Sequence, residues 1–126
     1  MLLASCAPEA LTLEMVAQNQ SGQDGTATLT QHADGLEVRV EIKKSSIEGL
    51  QNAHIHQGRC DDVRGILYGI SDRKTNDGGA GASDTSLFLQ QRITNTTLAA
   101  LRDGNHVINV HDARDNSLYV SCGEIN

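Results

Sequence analysis

The hydrophobic positions fall in short alternating runs rather than at helical spacing. LEVRVEIK (36–43) is the clearest: Leu36, Val38, Val40 and Ile42 alternate with charged residues, the period-2 mark of a half-buried strand. Asp34-Gly35 joins it to GTATLTQ (25–31), and Gln23-Asp24-Gly25 joins that to LTLEMVAQ (11–18). An Asp-Gly pair between alternating runs predicts a hairpin. Further strands are read at AHIHQ (53–57), VRGILYGI (63–70), TSLFLQQ (85–91), HVINVH (106–111) and SLYVSCGEI (117–125). Gly65 and Gly69 mark a bulge or a close backbone approach in the second of these. DRKTNDGGAGASD (72–84) reads as one long loop, and NTTLAALRDGN (95–105) as a brief helical turn ending at Asp103-Gly104. The pattern predicts an all-β Greek-key antiparallel sandwich or barrel of about eight strands.

Composition narrows the picture. With 126 residues there is one core to build, and only Phe88, Tyr68 and Tyr119 are aromatic, so Val, Leu, Ile and Ala must fill it. A formal charge of −6 argues against a nucleic-acid partner, which needs a basic surface. No apolar run approaches the ~18 residues of a membrane-spanning helix.

The first ten residues, MLLASCAPEA, place small residues around Cys6 as bacterial lipoprotein signals do. Residues 1–10 are therefore read as a signal remnant and tether, with Cys6 as the lipidation site and only contact with a membrane, and 11–126 as the domain. The other reading makes Cys6 a stray thiol. If Cys6 carries lipid, Cys60 and Cys122 remain as an even pair in an oxidising compartment, periplasmic, cell-surface or secreted. A bridge between them would close roughly 60 residues and contribute about 4 kcal/mol; the alternative is two buried thiols.

The chemistry concentrates in AHIHQGRC (53–60). Residues i and i+2 of a strand share a face, so His54 and His56 point together, opposite Ala53 and Ile55. In HVINVH, His106 shares a face with Ile108 and Val110. His111 takes the other face with Val107 and Asn109. Of the two, His111 is placed to join His54 and His56 if the strands are close. Three converging imidazoles suit copper or zinc. Polar strand surface is the plain alternative for HxH, and His32 and His106 are assigned no role.

AHIHQGRC, NVHD and VSCGEI, in that order, resemble the Cu,Zn superoxide dismutase superfamily, and GTATLTQ and LEVRVEI are similar to its early strands. The resemblance implies a superoxide dismutase-like sandwich, His54, His56 and His111 as copper ligands, and a Cys60–Cys122 disulfide. Three departures set limits. No histidine lies between Cys60 and His106, so the bridging histidine and the zinc loop have no counterpart and zinc in the enzyme's manner is not expected. Tyr119 stands where the enzymes carry the arginine that guides superoxide. The chain looks more like the short extracytoplasmic branch overlapping the chordin-type (CHRD-like) domains.

Three functions are compatible with these residues. The first is an extracytoplasmic copper-binding domain without turnover. The second is an active copper-only superoxide dismutase, with Arg59, Arg64 and Arg114 drawing in superoxide unless they pair with nearby carboxylates. The third is a non-enzymatic CHRD-like interaction module. No catalytic residue is assigned.

Overall fold

Alternation in LEVRVEIK resolves as drawn: Leu36, Val38, Val40 and Ile42 are buried while Arg39 and Glu41 face solvent. The computed structural model describes residues 9–46, 49–70, 72–73 and 86–126. Cys6, and with it the lipid-anchor reading, lies outside them, as do positions 74–84 of the long loop.

Eight strands carry the architecture: β1 (Glu9–Ala17), β2 (Gly25–His32), β3 (Gly35–Lys43), β4 (Ala53–Arg59), β5 (Asp62–Ile70), β7 (Ser86–Ile93), β8 (His106–His111) and β9 (Tyr119–Ile125). A two-residue β6 (Asp72–Arg73) pairs with β7 within the segment read as loop. Every neighbour in the order β5-β4-β8-β9-β1-β2-β3-β7-β6 is antiparallel. The sheet curls because β1 serves two partners. Glu9–Met15 pairs with β2, and Val16–Ala17 crosses to β9. This half-barrel encloses one core of Met15, Leu29, Ile42, Ile55, Ile70, Leu89, Ile108, Val110 and Ile125, among others. Aliphatic side chains fill it, as three aromatics among 126 residues require.

Among the described residues the helix is α1 (Leu98–Leu101), a single turn that buries Leu98 and Leu101. The Thr97 hydroxyl caps it by accepting from the Ala100 N–H. Isolated, so short a helix would not hold; here the two leucines anchor it.

Two long returns, β3 to β4 and β7 to β8, set β4 beside β8. Their register places His54 opposite Asn109 and His56 opposite Val107. Next along, Asn109 opposes Cys122 and Val107 opposes Glu124. Directly opposed residues share a face, so the histidines, Asn109 and Cys122 form the outer face of this half while Ala53, Ile55, Ile108 and Val110 enter the core.

Strand β5 is apolar in sequence but mostly exposed, with Ile70 alone of its residues fully buried. It forms the edge of the sheet, and Ile66 and Leu67 are 58% and 45% exposed. The predicted irregularity is present. The β4–β5 register shifts between Ile55 and His56 and again between His56 and Gly58. The close approach falls at Gly58 rather than at Gly65 or Gly69. Gly58 has φ +113°, and a Cβ there would lie 2.3 Å from the Asp62 carbonyl oxygen; neither Gly65 nor Gly69 has a neighbour within 4 Å of such an atom.

Candidate metal centre

The β4–β5 turn, Cys60-Asp61, carries a Cys60–Cys122 disulfide with Cα atoms 5.9 Å apart. Alongside it the Cys60 N–H donates to Glu124 Oε2, and Arg59 reaches Glu124 Oε1 and the Gly104 carbonyl. The far end of β4 is thereby fixed to β9 and to the entry of β8. Pairing of the two cysteines suits an extracytoplasmic location. Among the described residues no helix is long and apolar enough to cross a membrane.

His54, His56 and His111 come together on the outer face, each offering one ring nitrogen, all within 4.8 Å of one another. Ring centroids lie 5.5 Å apart for His54–His56, 5.0 Å for His54–His111 and 5.9 Å for His56–His111. A β-bulge between Val110 and His111 opposes His111 to Tyr119. The Tyr119 ring packs edge-on against His111 and His56, with centroids 5.2 and 6.4 Å away. His106 stays apart, its Nδ1 2.7 Å from an Asp103 carboxylate oxygen, and His32 pairs with Glu37 at 3.1 Å.

The hydrogen bonds assign the tautomers. His56 Nδ1–H donates to the Arg64 carbonyl at 2.8 Å, leaving Nε2 as the lone-pair atom. That Nε2 is buried and has no partner among the described residues. His111 Nδ1–H donates to the Asn116 carbonyl, which likewise leaves Nε2 free to ligate. His54 presents Nδ1, 3.1 Å from His111 Nε2. Without an ion, the His54 Nδ1 proton bridges these two nitrogens. For both nitrogens to hold an ion, that proton would have to leave Nδ1 for the His54 Nε2. A second ring nitrogen held by a carbonyl is the usual companion of a ligating histidine.

Electrostatics favour the neutral form of His54 and His111. Burial, then the charges that His111 and His56 would carry, lowers the pKa of His54. Burial also lowers His111, opposed by its bond to the Asn116 carbonyl and aided by His56. Neutral imidazoles are the form a metal requires. An unpartnered buried nitrogen facing two others fits a cation far better than it fits a plain protein surface.

The loop between β8 and β9 is shaped to supply the Asn116 carbonyl. Asp112 accepts from the Arg114 N–H, and Asp115 accepts from the Ser117 N–H and hydroxyl. Asn116 Oδ1 also accepts from Asn52 at 2.9 Å. Asn116 and Arg64 act through backbone oxygens, which no residue pattern announces; the Asp-x-Ser turn at 115–117 is the nearest signal. All three arginines near the site are engaged with carboxylates: Arg59 with Glu124, Arg64 with Asp62, and Arg114 with Asp112.

A curled antiparallel sheet, stapled by a disulfide and presenting three clustered histidines on its outer face, defines a small β-domain with a cluster able to hold a metal ion. The chain matches the CHRD domain over residues 10–121. It belongs to the CHRD domain family. No curated protein matches it.

Proposed function

We propose that this domain holds copper in an extracytoplasmic compartment, bound by His54 Nδ1, His56 Nε2 and His111 Nε2, without turning over a substrate. The observation that carries the reading is the convergence of three ring nitrogens, two of them selected by bonds from the opposite nitrogen to backbone carbonyls. Copper is favoured over zinc because imidazole sites bind Cu²⁺ more tightly. The resemblance to copper proteins of the superoxide dismutase superfamily points the same way. Binding alone requires no further group. Superoxide dismutation would gain from a cation that draws in the anion, and each nearby arginine is already paired with a carboxylate.

The test is a copper titration of the metal-free protein beside His54→Ala and His111→Ala. The reading predicts one Cu²⁺ per chain in the wild type, lost or greatly weakened in both variants, with zinc displaced by copper in competition. Equal binding by all three proteins would refute it. A superoxide-consumption assay on the copper-loaded protein should show no rate above that of free protein; a fast, saturable rate would replace copper holding with catalysis.

A further inference from the structure

Gln23 and Gln51 form a buried amide pair that the copper ligands leave unexplained. Each is 3% exposed. Gln23 Nε2 donates to Gln51 Oε1 at 2.9 Å, and Gln51 Nε2 donates back to Gln23 Oε1 at 3.0 Å. Their remaining amide protons go to backbone: Gln23 to the Lys43 carbonyl at 2.9 Å, and Gln51 to the His111 carbonyl at 3.1 Å. Every donor on both amides is used. Two apolar side chains would fill the same space without requiring any partner, whereas paired amides are satisfied in one geometry only.

That geometry converges on His111. The next residue, Asn52, accepts the His111 N–H on its carbonyl at 2.8 Å. The Asn52 side chain donates to Asn116, whose own carbonyl accepts from His111 Nδ1. The dipeptide Gln51-Asn52 therefore grips both sides of the His111 peptide and the residue that orients its ring. It also leads directly into Ala53-His54-Ile55-His56, which delivers the other two rings. His111 sits where the β8–β9 ladder bulges, and there the sheet alone does not determine the aim of a side chain.

We propose that Gln51 and Asn52 are positioning residues, a clamp that sets the His111 ring against His54 and His56, with Gln23 as the brace that holds the Gln51 amide in place. The proposal rests on the copper-binding reading.

The experiment measures Cu²⁺ affinity, the electron paramagnetic resonance spectrum of the bound Cu²⁺, and the melting temperature of the metal-free protein. These are compared for wild type, Gln51→Met, Gln23→Met and Asn52→Ala. Gln51→Met is expected to weaken copper about tenfold or more, the range usual for loss of an outer-shell partner, and to change the copper hyperfine splitting. Gln23→Met removes the same amide pair but not the bond to His111. It should lower the melting temperature about as much as Gln51→Met while weakening copper less. Asn52→Ala, which removes one exposed side-chain hydrogen bond to Asn116, should alter the copper spectrum with little change in melting temperature, which keeps the test open if Gln51→Met fails to fold. Wild-type affinity and spectrum in Gln51→Met and Asn52→Ala would overturn the clamp alone. So would copper affinity that only follows melting temperature across the three variants. Failure of the wild type to bind copper would overturn the copper reading and the clamp together.

Discussion

At the scale of single residues the decisive feature is which ring nitrogen each histidine leaves open. His56 and His111 spend Nδ1–H on carbonyls and keep Nε2; His54 offers Nδ1 to His111. Parity in AHIHQ and HVINVH was enough to put the side chains on one face. Tautomers were not legible, because the Arg64 and Asn116 carbonyls that select them belong to the backbone. The role of Gln51 was hidden too, since a buried glutamine looks like any polar loop residue until its partners are known. Because burial holds the pKa of His54 and His111 below the ordinary value of about 6.5, these rings make the metal-free protein sensitive to acid. Above that value the rings are neutral in both folded and unfolded chains and contribute no difference. Below it the unfolded chain takes up protons that the folded chain refuses, so stability declines with pH until the folded pKa values are passed. Urea unfolding of the metal-free protein should therefore give a midpoint that falls from pH 7.5 to pH 5. The fall should be smaller in the His54→Ala/His111→Ala double variant. An equal fall in both would show that these rings titrate normally.

At the scale of elements, the site depends on β4 lying beside β8. The sequence made both strands evident, and β3 and β4 present the faces their alternation predicts. Their adjacency was only conditional in the sequence, because strands 50 or so residues apart are brought together by long returns that local patterns do not encode. The bulge at His111 was hidden, as it depends on what the opposing strand presents, while the irregularity opposite His56 was signalled only by the glycines of β5. Strand β5 shows the limit of composition: an apolar run is buried only if the sheet continues past it, and here the sheet ends. The Cys60–Cys122 bond secures this arrangement by tying the β4–β5 turn to β9 across a sequence separation of 62. Replacing both cysteines by alanine should lower the unfolding free energy by about 4 kcal/mol on the chain-entropy account. Equilibrium urea unfolding measures this, and an unchanged midpoint would deny the bridge its structural part.

At the scale of the whole molecule, a small aliphatic core is wrapped by one curled sheet, and the outer face of one half is given to polar chemistry. The Greek-key class was readable from strand spacing, as was the absence of aromatic filling. The long return and the curl at β1 were not, since they arise from one strand serving two partners. The disulfide, the turn at 112–118, the glutamine pair and the two bulges all bear on one arrangement: three imidazoles from segments 55 or so positions apart, brought together as a cluster able to hold a metal ion. The most direct test is a crystal of the copper-loaded protein and its anomalous difference map at the copper edge. The account predicts one strong peak per chain, bonded to His54 Nδ1, His56 Nε2 and His111 Nε2. A map with no peak among these three nitrogens, or with copper elsewhere on the surface, would contradict it.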